Sequence, residues 1–428
     1  MDIKYKLKNI LILSILFFLI FSFKNTFADD IDPNDDIENF EEELQENNSI
    51  ETASNSISSL NLNSRSCIVL DRLTKKVLFG KNEYLRVKMA STTKIMTATI
   101  ILENCDLNQT VEVSKKAANT GGSRLNLKTG DKITIRDLLY GLLLRSGNDA
   151  AVALAETAAG DIQGFSNLMN QKAKELGLIN THFESPHGLD SDDHYTTAYE
   201  LALLSDYALK NSTFLEIVGT KNYTISINGY PKTLSNTNEL LGNLDGVYGI
   251  KTGFTNGANR CLVTACKRND MDIICVVLGA DTKKLRTTDS IKLIEYIFKN
   301  YEYVDLNEKI SQEFTNWKNI NQDYFSIEKV CSSNLQIKYS DLEHPFMPIK
   351  KEEISSIKVS IKVNPSLHAP IHKNDAVGRI NVTSNGNFIA YCNIVATNTI
   401  EKKNVLNYFS YFFKNYSNIL DSSKQLLL

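Results

Sequence analysis

The sequence lacks the features that would place it in several large classes of protein. Its net charge is only -3 over 428 residues, which gives no indication of nucleic-acid binding. The 7 cysteines are odd in number and have no repeated spacing, so they do not predict a disulfide framework. Only 6 histidines occur, and neither they nor the cysteines show the spacing of a metal site. We therefore expect neither a metal nor another cofactor.

Free thiols are the alternative to a disulfide framework. The cysteines stand at positions 67, 105, 261, 266, 275, 331 and 392. Several of them fall in apolar, strand-like runs, where a free thiol behaves as a small hydrophobic group. In an exported protein, free thiols suit a low-oxygen environment better than an oxidising one.

The apolar run near the N-terminus has the form of a targeting segment. Three early lysines precede the apolar residues 10–23, and Thr26 and Ala28 are small residues at the cleavage-determining positions. The run is short for a spanning helix, which favours a signal peptide over residues 1–28, with an uncleaved anchor as the alternative. We therefore expect an exported protein at the extracytoplasmic face of the cell membrane or in the cell wall.

An acidic segment follows at residues 29–63. It contains eleven Asp and Glu, no Lys or Arg, and few large apolar residues. Such a composition cannot bury enough apolar surface to fold, so we expect a disordered linker.

Three short clusters, in a particular order, carry the chemistry. Ser91-Thr92-Thr93-Lys94 comes first, Ser146-Gly147-Asn148 second and Lys251-Thr252-Gly253 third. Together they predict a serine acyl-transfer site in which a lysine activates the nucleophile. The information lies in the conjunction and the order, because each pattern also occurs elsewhere in the chain.

The first cluster opens a predicted buried helix over Met89–Leu102. One helical turn separates Ser91 from Lys94, which brings the amine within reach of the hydroxyl. A lysine can take the serine proton only if its pKa falls by several units, as burial or a second cation would cause. Lys251 is the candidate second cation. The alternative for this motif alone is an ordinary capped helix with a solvated lysine.

The second cluster joins two predicted apolar helices, so its side chains would point into a cleft. Ser146 could relay a proton to the leaving amine, and the amide of Asn148 could hold a substrate carbonyl. Asn148 or Asp149 could also cap the following helix. A plain helix–helix connector is the alternative for this motif alone.

The third cluster lies in a predicted β-hairpin whose turn is Asn256-Gly257. An edge strand there would offer the cation of Lys251, the hydroxyl of Thr252 and a close backbone approach at Gly253. These groups suit an anionic substrate terminus. The N–H groups of Phe254 and Ser91 could form an oxyanion hole.

Other copies of the motifs fit less well. Ser326/Lys329 and Ser355/Lys358 repeat the Ser-x-x-Lys spacing in predicted strands, where positions i and i+3 face opposite sides. A second Lys-Thr-Gly at residues 128–130 reads as a surface turn. His187 and His194 read as structural loop histidines rather than as metal ligands or a triad base.

The chain resembles the serine-type D-alanyl-D-alanine carboxypeptidases, the low-molecular-mass penicillin-binding proteins. Beyond the three motifs, the resemblance includes the stretches CIVLDRLTKKVLFGKN, ITIRDLLYGLLLRSGNDAAVALAE, SPHGLDSDDHYTTAYELALL and GIKTGFTNGANRCLVTACKR. It implies an α/β catalytic domain of the penicillin-binding/β-lactamase type over residues 64–300. That domain would have an antiparallel sheet flanked by helices, with a helical lobe between the first and third motifs.

The resemblance also implies roles. Ser91 would be the acylated nucleophile and Lys94 the base, while Ser146 and Asn148 would form the second motif. Lys251 and Thr252 would bind the substrate carboxylate, helped by Arg286. The reaction would remove the terminal D-alanine of the peptidoglycan pentapeptide, and the site would bind β-lactam antibiotics covalently.

Two other functions remain open from the sequence. A β-lactamase of the same superfamily would need a deacylating carboxylate, but Glu156, Glu175 and Glu184 do not lie in a Glu-Pro-x-x-Asn-like loop. A catalytically silent wall-binding scaffold would not need the intact catalytic serine and lysine residues.

The C-terminal third has a different pattern. Short alternating strands predict a small β-sandwich over residues 301–398. Apolar residues at three-to-four spacing then predict an amphipathic helix over residues 399–428, rich in aromatics and lying at a membrane surface. A helix packed on the β-rich domain or on a second subunit is the alternative.

Overall fold

The structure, a computed structural model, describes residues 60–321, 327–328, 335–364, 367–407, 409–410 and 412–413. The chain divides into two compact units, the first ending at Ile297 and the second beginning at Phe298. The predicted signal peptide and nearly all of the acidic linker lie outside the described residues. Of the linker's last residues, Leu62 is buried, and the backbone N–H of Asn63 donates to Asp289.

The first unit begins with two antiparallel strands and continues into a helical lobe. The strands are β1 (Ser66–Asp71) and β2 (Val77–Lys81). The lobe contains seven helices: α1 (Lys94–Asn104), α2 (Lys115–Ala118), α3 (Ile135–Leu144), α4 (Asn148–Ala159), α5 (Ile162–Glu175), α6 (Ala198–Ala208) and α7 (Ser212–Val218). It also contains two small antiparallel strand pairs: β3 (Thr110–Glu112) with β4 (Lys132–Thr134), and β5 (Asn222–Ile227) with β6 (Tyr230–Ser235).

Apolar helices with polar caps form the lobe. Helix α3 is buried over nearly its whole length because eight of its ten residues are Ile, Leu, Tyr or Gly. Its first turn is closed by Thr134, whose side chain accepts from the N–H of Asp137. Asp161, Thr197 and Asn211 cap α5, α6 and α7 in the same way.

The chain then returns to complete the main sheet. Three long strands, β7 (Val247–Thr255), β8 (Asn259–Arg268) and β9 (Met271–Ala280), precede helix α8 (Lys283–Asn300). The strand order is β2-β1-β9-β8-β7, and every neighbouring pair is antiparallel. The predicted α/β class, the antiparallel sheet and the helical lobe between the first and third motifs are therefore confirmed. The third motif lies on β7, an edge strand.

The second unit is rich in β-structure. Strand β10 (Tyr301–Asp305) and helix α9 (Leu306–Asn321) come first. The remaining strands are β11 (Ile327–Glu328), β12 (Ile337–Tyr339), β13 (Phe346–Lys350), β14 (Ile357–Val363), β15 (Leu367–His368), β16 (Ala376–Ser384) and β17 (Asn387–Ala396). An antiparallel sheet of order β12-β17-β16-β14 dominates, beside the pairs β10-β13 and β11-β15. The sequence alternation of β14 matches its alternating exposure, with Lys358 and Lys362 exposed.

The C-terminal residues do not form one element from position 399 onward. Ile400 is buried and pairs with Ile371, so it belongs to the β-rich unit. Helical residues begin at Val405, and the described ones carry exposed apolar side chains at Val405, Leu406, Phe409, Phe412 and Phe413. Residues 414–428 of the predicted helix lie outside the described residues. Within the described ranges, none of the helices is long and apolar enough to cross a membrane.

The six cysteines that the structure describes are free thiols. Five of them are buried, and Cys67, Cys261, Cys266 and Cys275 lie on the central strands β1, β8 and β9. Burial raises the pKa of Cys67 to about 12 and that of Cys261 to about 11. The thiols therefore act as small apolar groups, as their sequence context predicts.

We expect an alkylating reagent at pH 8 to modify Cys105 far faster than the other five, because Cys105 alone among them is partly exposed. Peptide mapping after a short iodoacetamide treatment measures this selectivity. In denaturant the six should react at similar rates. Rapid labelling of Cys67 or Cys275 in the folded protein would contradict the packing described for the sheet.

Candidate active site

Ser91 lies in a tight turn at the start of α1, as predicted. Residues Ala90–Thr93 form one turn of 3-10 helix, and Lys94 begins the α-helix. The turn is buried, and Ser91 is 4% exposed. Its preceding residue, Ala90, has a φ of +48°, which is strained for a residue with a side chain. The nucleophile candidate is therefore held by an unusual backbone conformation rather than by an ordinary capped helix.

Lys94 is fully buried and is the centre of the cluster. Its Nζ lies 2.7 Å from the Oγ of Ser91, 2.7 Å from the Oδ1 of Asn148 and 2.9 Å from the backbone oxygen of His187. A neutral amine has two hydrogens and one lone pair. It can donate to Asn148 and His187, whose oxygens only accept, and take the proton of Ser91 on its lone pair. The geometry therefore suits a base, and the solvated-lysine alternative is wrong.

The second motif contacts Lys94 through the side chain of Asn148. Asn148 bridges two segments, since its Oδ1 accepts from Lys94 and its Nδ2 donates to the backbone oxygen of Gly121 at 2.9 Å. Ser146 lies two residues earlier, 7% exposed, with a φ of +60°. The expected capping by Asn148 or Asp149 is wrong, because α4 begins at Asn148 and its N-cap is Gly147, which makes no side-chain cap. Asn148 is instead used for the lysine.

The third motif lies against the Ser91 turn. A Cβ added at Gly253 would stand 3.1 Å from the backbone nitrogens of Ser91 and Thr92, so a side chain there would require the Ser91 turn or β7 to shift. Lys251 is 1% exposed, and its Nζ donates to the backbone oxygen of Thr252 at 2.9 Å. These distances bring the first and third motifs together.

Phe254 follows on the same strand. Its ring is covered by Arg260, the residue opposite it on β8, with the guanidinium carbon 3.6 Å from the ring centroid. This stacking fixes the side chain of Phe254, which directly follows the Gly253 that approaches the Ser91 turn.

Arg286 lies on α8 and is paired with a carboxylate that the sequence analysis did not single out. Its Nη2 donates to Glu239, which also accepts from the hydroxyl of Thr287. Burial would raise the pKa of Glu239, but the charge of Arg286 and the Thr287 hydrogen bond lower it below its usual value. Glu239 is thus an anion that offsets the charge of Arg286.

The loop that carries Glu239 also contacts the third motif. Thr237 lies two residues before Glu239, and its Oγ1 is 2.7 Å from the Oγ1 of Thr252. The segment 237–239 therefore contacts two of the residues predicted to bind a carboxylate, Thr252 and Arg286. Its polar side chains resemble those of any surface loop, so only the tertiary structure reveals their position.

The two loop histidines are neutral and lie beside the site. Desolvation, and then the positive charge that Lys94 can carry, lower the pKa of His187 to about 3. The Nδ1 of its ring accepts from the backbone N–H of Leu189, while its backbone oxygen accepts from Lys94. His194 forms a hydrogen bond with Thr93, which lies in the Ser91 turn. Both histidines lie in loop segments, as the sequence suggests, but the sequence does not show that they contact the residues next to Ser91.

The repeated motifs lie elsewhere. Residues 128–130 form an exposed turn, as expected. Ser355 lies in a 3-10 turn, Lys351–Ser356, so its expected strand context is wrong, although Lys358 does lie on β14. Ser326 and Lys329 lie outside the described residues.

Comparison with known protein families gives two matches. The family described as D-alanyl-D-alanine carboxypeptidase matches residues 51–282, and the one described as penicillin-binding protein 5, C-terminal domain, matches residues 337–402. The first range contains all three motifs.

Individual relatives agree with the family matches. D-alanyl-D-alanine carboxypeptidase DacF of Bacillus subtilis is 34% identical over 344 residues, which cover 79% of this chain and 86% of the relative. DacC of Escherichia coli is 32% identical over 82% of this chain and 87% of the relative. The crystal structure of DacD from Francisella tularensis superposes with a TM-score of 0.65 at 27% identity, over 83% of this chain and 98% of that one. The resemblance carried by the motifs is confirmed.

Proposed function

The chain belongs to the D-alanyl-D-alanine carboxypeptidase family, and we propose that it removes the terminal D-alanine of peptidoglycan stem pentapeptides through an acyl-enzyme on Ser91. The observation that carries this mechanism is the contact of 2.7 Å between the buried amine of Lys94 and the Oγ of Ser91. A base must lie within hydrogen-bond reach of the proton that it removes.

Acylation follows from this contact. Lys94 takes the proton of Ser91 while the Oγ attacks the carbonyl carbon between the two D-alanines. The negative charge that develops on the carbonyl oxygen is stabilised by the backbone N–H groups of Ser91 and Phe254. The C–N bond then breaks, the leaving amine receives a proton through Ser146, and D-alanine departs. Water later attacks the ester and restores the hydroxyl of Ser91.

Substrate binding uses the neighbouring groups. The cation of Lys251 and the hydroxyl of Thr252 bind the terminal carboxylate, and the amide of Asn148 holds the peptide backbone. Gly253 contributes by its missing side chain, which lets β7 lie against the nucleophile turn. A β-lactam ring offers the same groups an amide carbonyl and a carboxylate, so penicillin acylates Ser91 too.

The β-lactamase alternative has no support from the carboxylates that it would need. Glu175 is largely exposed and pairs with Lys172 at 2.9 Å, and Glu184 is exposed. Glu156 lies near the end of α4, two turns beyond Asn148. Slow release of bound penicillin is therefore expected, and fast turnover of the drug would favour the β-lactamase.

We propose that the exposed apolar residues from Val405 onward attach the exported protein to the extracytoplasmic face of the membrane. Val405 and Leu406 are 70% and 75% exposed, and the phenylalanines that follow are more than half exposed. Apolar surface of this extent on a helix favours the membrane interface.

Substitution Ser91→Ala is expected to abolish both penicillin acylation and D-alanine release without unfolding the protein, because it removes only one oxygen. Intact mass after penicillin treatment and a D-alanine assay with a D-Ala-D-Ala peptide measure the two effects. Ser355→Ala, in the second unit, is the matched control and should behave like the parent protein. An adduct on any serine other than Ser91 would refute the assignment.

The two lysines should respond differently to replacement by arginine. Lys94→Arg should slow acylation about 10²- to 10⁴-fold, the usual contribution of a general base, because arginine keeps its proton. Lys251→Arg keeps the cation and should mainly raise the KM of the peptide. Stopped-flow acylation and steady-state kinetics separate these effects, and near-normal acylation of Lys94→Arg would exclude the lysine base.

Glu239→Gln should strengthen binding of peptides that end in a carboxylate, because it frees the charge of Arg286 from its partner. The expected gain is about 1 kcal/mol, on the scale of one screened charge pair, seen as a lower KM. The KM of the corresponding peptide amide should not change. Glu295→Gln, farther along α8, removes a charge partner of Arg268 at the end of β8 and is the control. A higher KM for the carboxylate substrate would show that Glu239 is needed to orient Arg286.

Removal of residues 405–428 should yield an active enzyme that no longer sediments with anionic lipid vesicles, while the longer protein does. The truncation spares Ile400, which is part of the β-rich unit. Vesicle sedimentation and the D-alanine assay measure the two properties. Loss of folding on truncation, or failure of the longer protein to bind, would show that the segment is structural.

A further inference from the structure

The imidazole of His194 is buried between the backbone of Glu184 and the Ser91 turn, residues Ala90–Thr93. It is 2% exposed and lies on the segment that precedes α6. The backbone N–H of Glu184 lies 3.0 Å from its Nδ1, so Nδ1 accepts and carries no hydrogen. The hydrogen of the neutral ring is therefore on Nε2, which lies 2.8 Å from the Oγ1 of Thr93.

The Thr93 hydroxyl requires the same tautomer. It donates its single hydrogen to the backbone oxygen of Ala90 at 2.7 Å, so towards His194 it can only accept. A relay of hydrogen bonds thus runs from Glu184 through His194 and Thr93 to Ala90. It ends on the peptide group that directly precedes Ser91.

The relay ends on a strained residue. Ala90 has a φ of +48°, in the left-handed region that residues with a side chain disfavour. Most other described non-glycine residues with positive φ are asparagines, which adopt this conformation more readily. Strain of this kind persists only where the surroundings enforce it. Gly188 helps, because a Cβ there would lie 2.0 Å from the oxygen of Ala90.

We propose that His194 is a positioning residue for the acylation reaction, holding the Ala90 peptide through Thr93 so that the N–H and Oγ of Ser91 face the substrate. The inference rests on the proposed function and extends it to a residue that does not touch the substrate. Its effect falls on the rate of acylation rather than on binding, because the contacts to the substrate carboxylate lie on β7.

The experiment compares His194→Ala, His194→Gln and Thr93→Val in the full chain. For each, stopped-flow measurement with a fluorescent penicillin gives the acylation rate constant and the initial binding constant separately. We expect His194→Ala to lower the rate constant about 10- to 100-fold, since misplacement of a reacting group by an ångström costs that much, with the binding constant unchanged. His194→Gln retains an N–H donor and should recover part of the rate.

A double-mutant cycle tests the route through Thr93. In a Thr93→Val background, His194→Ala should cause little further loss, because the relay is already broken. His182→Ala is the matched control, since the His182 ring lies in the same segment but contacts the backbone oxygen of Asp193 and the ring of Tyr195 rather than Thr93. It should leave the acylation rate unchanged.

The outcomes separate this inference from the proposed function. If penicillin does not acylate Ser91 in the parent protein, the proposed function fails. If the parent is acylated and folded His194→Ala is acylated at the same rate, the positioning role is refuted. Additive losses in the cycle would also refute it, as would a loss confined to thermal stability. If His194→Ala does not fold, the Gln and Val variants decide the same question.

Discussion

The buried amine of Lys94 is the interaction on which the site depends. A lysine removed from water must satisfy its hydrogen-bonding capacity inside the protein, since an unpaired buried polar group is costly. Lys94 finds partners in three segments: Ser91 in its own turn, Asn148 at the start of α4 and the backbone of His187. One nitrogen thus joins three segments of the lobe, and the same contacts that stabilise the amine hold the nucleophile next to it.

Backbone strain is concentrated at the same place. Among the described non-glycine residues with positive φ, Ala90 and Ser146 are neither asparagine nor lysine. Ala90 directly precedes the first proposed catalytic cluster, and Ser146 opens the second. Each would relax if it were not held by its surroundings. Gly188 and Gly253 contribute by the side chains that they lack, because a Cβ at Gly188 would collide with the turn that contains Ser91 and a Cβ at Gly253 would crowd it. The strained turn at Ser91 therefore packs directly against the backbone at Gly188 and at Gly253.

The charge of Arg286 is balanced by Glu239. Lys251 and Thr252 are placed on β7 by the sheet, whereas Arg286 comes from α8 and is already paired with Glu239. Thr237, two residues before Glu239, contacts Thr252. In the proposed reaction, recognition of the substrate carboxylate would then depend mainly on Lys251, with Arg286 partly neutralised. The loop that carries Glu239 determines how far the charge of Arg286 is neutralised, and the three motifs carry no information about that loop.

Some features of this protein follow from the sequence by itself. The spacing of Ser91 and Lys94 on a helix, the hairpin that presents Lys251 and the alternation of β14 are local, because residues a few positions apart have fixed geometry in helices and strands. The order of the motifs and the stretches around them were enough to identify the family and its fold. Tertiary structure alone decided that Asn148 serves the lysine rather than a helix cap, that Glu239 meets Arg286, and that His194 bonds to Thr93. Those contacts join residues that are 47 to 101 positions apart, and no local periodicity encodes them.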